Sequence, residues 1–240
     1  MPNELGQLTM NMQATALRPL LGLTVLVVED SRFASEAVRL LCIRSGARIR
    51  RADSLIAAHR HLQVYRPSVV IVDLGLPDGS GIDLIAELAT GDPTTRPVIL
   101  ASSGADGEDQ GSQALAAGAD DFLAKPITSV STFQQSVLMH LPDEMRPNGP
   151  RLMSDESVSP DRLALNEDLS HLDDLLKTGP DVLGYVAPFL QGLARLAGDK
   201  YLKDASEALS LAYKKGNGID TAILHTRNVI RDRLHAQELV

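Results

Sequence analysis

The 240-residue chain is 44% hydrophobic, enough to bury a core in one large domain or two small ones. With 23 basic against 31 acidic groups its formal net charge is -8, so no overall positive field draws it to nucleic acid or to an anionic membrane. The single cysteine, Cys42, excludes an intrachain disulfide and fits a reducing compartment; the N-terminal stretch lacks a sustained apolar core and no run approaches 18 apolar residues, so a cytoplasmic protein is expected.

After about twenty weakly patterned residues, residues 24–28 form an unbroken apolar run closed by Glu29 and Asp30. A run without polar alternation predicts a strand covered on both faces, as in a parallel sheet. Residues 31–45 then carry helical spacing and stop at Gly46. The alternation repeats: a weak strand over 47–51, a helix over 55–64, a strand over 69–72 ending in Asp73, and a helix over 81–89. A fourth strand over 97–102 and a small-residue helix over 110–117 follow, then a fifth strand over 121–125 and a helix over 127–140. Five strands alternating with five helices predict a doubly wound α/β fold, a five-stranded parallel sheet with right-handed crossovers.

On that scaffold Glu29, Asp30, Asp73, Ser102 and Lys125 all reach the carboxyl edge of the sheet, where open α/β sheets bind ligands. Alone, Asp73 could simply end a strand or cap a helix. Three carboxylates in one cleft need positive charge, because leaving them unpaired costs several kcal/mol. Lys125 supplies one cation, and a hard divalent ion with oxygen ligands, Mg²⁺, suits the rest. The alternative is a purely structural salt-bridge cluster.

The four motifs VLVVEDS, VDLGLPDGSG, VILASSG and DDFLAKPIT, in this order and spacing, resemble the receiver domain of bacterial two-component response regulators, a CheY-like, flavodoxin-like module. The resemblance covers residues 23–141. It implies that Asp73 is the phosphoacceptor, that Asp30 and the Gly75 carbonyl ligate Mg²⁺ with Asp73, and that Glu29 acts mainly through water. It further implies that Ser102 and Lys125 hold phosphoryl oxygens, that Lys125-Pro126 is a cis peptide, and that Ser102 and Phe122 form a switch pair. Phe122 departs from the commoner tyrosine and brings no hydroxyl; it could equally be ordinary core. The phosphoryl donor implied is a histidine kinase or a phosphotransfer protein.

Residues 142–160 hold several prolines and charges without apolar period and read as a linker, which divides the chain into an N-terminal extension (1–22), a receiver (23–141) and a helical domain (161–240). Four amphipathic segments, over 163–176, 181–196, 201–215 and 219–239, predict a small bundle that switches an unidentified downstream protein or pairs with a second copy as a homodimer. This half is acidic and lacks a basic recognition helix, which argues against nucleic acid, although a DNA-binding transcriptional regulator remains an alternative reading. No catalytic output motif appears. Residues 212–230 weakly resemble the histidine phosphotransfer helix, with His225 at the phosphorylatable position. Asn228 and Val229 stand where that family carries lysine and glycine, and Val229 would crowd the ring, so phosphate relay through His225 is the other alternative.

Overall fold

A computed structural model describes residues 14–92, 95–104, 108–147 and 154–235. Five strands, β1 (Thr24–Val28), β2 (Arg48–Ala52), β3 (Val69–Asp73), β4 (Val98–Ser103) and β5 (Asp121–Ala124), form one sheet in the order β2-β1-β3-β4-β5. All neighbours pair parallel. The order turns back on itself at β1, so the cleft beyond the carboxyl ends of β1 and β3 is where such a sheet binds.

The strands β1, β3 and β4 alternate between two apolar layers, because successive side chains point to opposite faces. Val25, Val27, Val69, Ile71, Val98 and Leu100 face α1 (Arg32–Ser45) and α5 (Val130–His140). Leu26, Val28, Val70, Val72, Ile99 and Ala101 face α2 (Leu55–Val64), α3 (Gly81–Ala89) and α4 (Glu108–Ala116). β2 reads weakly because it is an edge: Arg48, Arg50 and Arg51 are exposed and only Ala52 is buried, and charge on an edge strand discourages pairing with other chains. Ser31, Ser54, Ser80 and Ser129 cap α1, α2, α3 and α5, each accepting a backbone N–H of the first turn. The expected start of α5 at residue 127 therefore moves to Val130, behind its serine cap.

The stretch read as a linker is partly structured. Asp143–Met145 form a 3₁₀ turn, Val158 is buried against the sheet core, and Ser157 bridges antiparallel to Ser129. Residues 148–153 lie outside the described residues, as do residues 236–239 of the last expected helix. Four helices follow: α6 (Arg162–Leu176), α7 (Leu183–Ala197), α8 (Lys200–Lys215) and α9 (Ile219–His235). Their apolar faces share a core of Leu169, Leu172, Leu190, Leu202, Leu209 and Ile230. Phe33, from α1, is buried in that same core, so the helical half is keyed directly into the α/β half. No helix among the described residues is long and apolar enough to cross a membrane.

Candidate phosphoryl-accepting site

Asp73 is the last residue of β3, Glu29 and Asp30 directly follow β1, and Lys125 directly follows β5. Parallel pairing sets these ends side by side, with Asp73 in register with Ser102. Carboxylate oxygens of Glu29, Asp30 and Asp73 all lie within 4.8 Å of one another. Lys125 Nζ sits 2.6 Å from Glu29 Oε2 and 2.8 Å from Asp73 Oδ2. The Ser31 N–H donates to Glu29 Oε1 at 3.2 Å, and the Gly75 N–H donates to Asp73 Oδ1 at 3.3 Å.

Crowding the acids around one lysine shifts the titration of Glu29 and Asp30. Burial, reinforced by Asp73 and Asp30 and opposed by Lys125, pushes Glu29 up to about 8. Burial likewise pushes Asp30 up to about 6, against a hydrogen bond from Tyr185. Burial also works against the Lys125 ammonium, but Glu29 and Asp73 outweigh it and its proton is held more tightly than usual. The notch thus holds more acid than its one lysine neutralises. Clustered hard oxygen donors with surplus negative charge fit a divalent cation such as Mg²⁺, and the lysine fits a phosphoryl oxygen.

The remaining expected positions fall as follows. Gly75 lines the cavity over the notch, beside Leu74 and Leu76. Ser102 is buried, its hydroxyl 3.5 Å from the Val72 carbonyl. Phe122 packs against α4, where a Cβ on Gly111 would meet its ring at 3.3 Å. The Lys125-Pro126 peptide is cis. His225 stands exposed on α9 and does not line the cavity, so the structure does not bring it to the acids.

Sequence reasoning missed a second set of residues, contributed by the helical half. Tyr185 on α7 donates its hydroxyl to Asp30 Oδ2 at 2.6 Å, and its own pKa is raised, by burial and then by Asp30. Asp168 on α6 accepts from the Ser31 hydroxyl at 2.8 Å and from the Arg32 and Phe33 N–H groups at 3.0 Å. Arg195 Nη1 donates to the Gly104 carbonyl at 2.6 Å. Together with Pro188 and Phe189, Tyr185 closes a cavity of about 370 Å³ over the notch. One signal for Asp168 was present: it interrupts the apolar stripe of Leu165, Leu169 and Leu172, and a charge on such a stripe requires a buried partner. Tyr185 lies 155 residues from its partner and carried none.

Residues 25–136 match the family model described as the response regulator receiver domain. The transcriptional regulatory protein KdpE of Mycobacterium tuberculosis is 41% identical over 102 residues, 42% of this chain and 44% of the relative. The KDP operon transcriptional regulatory protein KdpE of Escherichia coli is 37% identical over the same shares. The matched region is thus less than half the length of these relatives. Their names leave the expected exclusion of nucleic acid without support. Among solved structures, the signal receiver domain of a signal transduction histidine kinase from Syntrophus aciditrophicus shares 25% identity at a TM-score of 0.46, covering 55% of this chain and all of that one. The signal receiver domain of a DNA binding response regulator protein from Colwellia psychrerythraea shares 24% at 0.43, covering 48% and 94%. By motif order, by the meeting of acids and lysine at one sheet edge, and by the family match, residues 25–136 of this chain are a response regulator receiver domain of a two-component system.

Proposed function

We propose that Asp73 is the phosphoacceptor of a response regulator whose donor is a histidine kinase or phosphotransfer protein, and that phosphorylation switches protein contacts made by the helical half, residues 161–240. The observation that carries this reading is the Lys125 ammonium held 2.8 Å from Asp73 Oδ2 within a three-acid cluster. A carboxylate is a weak nucleophile, so transfer depends on placement and on neutralised charge rather than on a strong base. An Asp73 oxygen bonds to phosphorus as the donor's phosphorus–nitrogen bond breaks. Lys125 pairs with one phosphoryl oxygen, and the Ser102 hydroxyl, freed from its 3.5 Å contact with Val72, donates to another. Asp30, Asp73 and the Gly75 carbonyl would hold Mg²⁺, with Glu29 acting through water; bound there, the ion would offset charge on the phosphoryl oxygens in flight. Movement of Ser102 and Phe122 on phosphorylation would carry the signal to the α4 side, since Phe122 already packs on that helix. Labelling with acetyl phosphate and Mg²⁺ tests the assignment: wild type should incorporate acid-stable, base-labile phosphate and Asp73→Asn none. Label retained by Asp73→Asn overturns it, and acid-labile label would instead favour relay through His225.

A second reading, regulation of transcription, is favoured by the names of the KdpE relatives. Against it, the basic residues of α9 are already engaged: Arg227 and Arg231 with Asp173, and Arg233 with Asp199. Binding to duplex DNA that strengthens steeply as salt falls would favour this reading.

A further inference from the structure

The helical half grips the segments that bound the acid notch. Tyr185 holds Asp30 itself, through Oδ2. Asp168 takes the next three residues, Ser31, Arg32 and Phe33. That contact is strong for a general reason: the first N–H groups of a helix have no intrahelical partner and carry the positive end of its dipole, and α1 has no acid of its own in its first turn. Arg32 adds an ion pair to Glu167 at 2.8 Å, and Phe33 is buried in the helical core. On the other side, Arg195 holds the Gly104 carbonyl in the loop after β4, where α7 comes close enough that a Cβ on Gly104 would lie 3.8 Å from Gly192 Cα.

We infer that the α6–α7 face is an interaction surface whose partner is the receiver's own notch, and that it competes with the divalent cation for Asp30. The inference rests on the reading of the notch as a Mg²⁺ and phosphoryl site. The Tyr185 hydroxyl directs its proton at Oδ2 and occupies one of that oxygen's lone pairs, so an ion approaching from that side displaces the hydroxyl. Mg²⁺ tolerates little departure from octahedral geometry, and a carboxylate held by Tyr185 has less freedom to adjust to it. Asp168 holds the residues that follow Asp30 in the chain, Ser31, Arg32 and Phe33, and so limits that adjustment further. Docking of the helical half and binding of the ion are thus coupled, and the coupling is reciprocal: whatever factor the docked face takes from ion affinity, the ion takes from docking. A phosphoprotein donor meets the same face, since Tyr185, Pro188 and Phe189 border the cavity through which Asp73 is reached.

The test compares full-length wild type, Tyr185→Phe, Asp168→Asn and Asp30→Asn, each confirmed folded by thermal unfolding. Calorimetric titration with Mg²⁺ should show Tyr185→Phe binding about tenfold tighter, a difference of about 1.4 kcal/mol. Asp168→Asn should shift affinity the same way. In wild type, Mg²⁺ with beryllofluoride should speed amide exchange at Arg32 and Phe33, whose N–H groups Asp168 now holds. Equal or weaker Mg²⁺ binding by Tyr185→Phe, while Asp30→Asn abolishes it, overturns the competition and leaves the metal reading standing. Absence of Mg²⁺ binding by every form overturns both.

Discussion

Lys125 Nζ lies 2.6 Å from Glu29 Oε2 deep in the notch, and the same ammonium serves Asp73. Removing one partner of a buried ion pair strands the other charge, at a cost of about 3–5 kcal/mol. Lys125→Met, which keeps the apolar stem, is therefore expected to lower stability by that amount without added metal. Mg²⁺ should recover more of the loss in the variant than it adds to wild type. Thermal unfolding with and without Mg²⁺ checks both; an unchanged melting temperature in Lys125→Met contradicts the account.

Two glycines flanking the loop after Asp73 should respond unequally to alanine. A Cβ on Gly81 would lie 2.1 Å from the Asp73 carbonyl oxygen and 2.9 Å from its carbon, whereas one on Gly75 meets nothing within 4 Å. The obstacle at Gly81 is backbone, so the chain at Asp73 must shift. Gly81→Ala should cost about 3 kcal/mol and impair phosphorylation. Gly75→Ala should stay within about 0.5 kcal/mol of wild type. Denaturant unfolding and acetyl phosphate labelling read the contrast, and equal behaviour of the two variants counts against it.

His59 Nε2 sits 2.8 Å from Glu87 Oε2 and ties α2 to α3. That hydrogen bond, first, and one to the Leu55 carbonyl raise the imidazole pKa above its usual value of 6.5. A folded pKa above the unfolded one means stabilisation fully present below about pH 6.5 and lost as pH rises through the folded value. An NMR titration of His59 should give a raised pKa that returns towards 6.5 in Glu87→Gln. A midpoint unmoved by that substitution removes the ion pair as the cause.

Asp173 anchors the helical half: Arg227 Nε at 2.9 Å, Lys177 Nζ at 3.3 Å and Arg231 Nη2 at 3.4 Å converge on its carboxylate. Burial opposes its charge, yet Arg227 and Lys177 hold its pKa below the ordinary carboxylate value. The contribution is present above about pH 4 and lost as pH falls through the lowered value. Two of the three cations are half-exposed and screened, so Asp173→Asn should cost only about 1–2 kcal/mol. Loss confined to α6 and α9 in amide exchange confirms the anchor; a loss centred on the sheet contradicts it.

The α/β half was legible because local signals agreed. Unbroken apolar runs gave β1, β3 and β4, helical spacing gave the helices between them, and strand ends placed Glu29, Asp30, Asp73, Ser102 and Lys125 at one edge. β2 was faint because an exposed edge strand needs little apolar residue. The segment between α5 and α6 misled because it carries no apolar period: Val158 and the Ser157 bridge fold it back onto the chain. The site's other wall was hidden altogether. Tyr185 and Asp168 act on residues more than 130 positions away, and no periodicity encodes which surface a helical unit rests on. Only the misplaced charge of Asp168 pointed to a buried partner, without naming it.

The central claim is that the notch delivers a phosphoryl group to Asp73. Peptide mapping by mass spectrometry after treatment with phosphoramidate and Mg²⁺, with the acyl phosphate trapped by borohydride, reads the modified residue directly. The account predicts a single reduced site at Asp73, lost in Asp73→Asn and weakened in Lys125→Met. Modification at another residue, or none under conditions that fully label a control receiver, would contradict it.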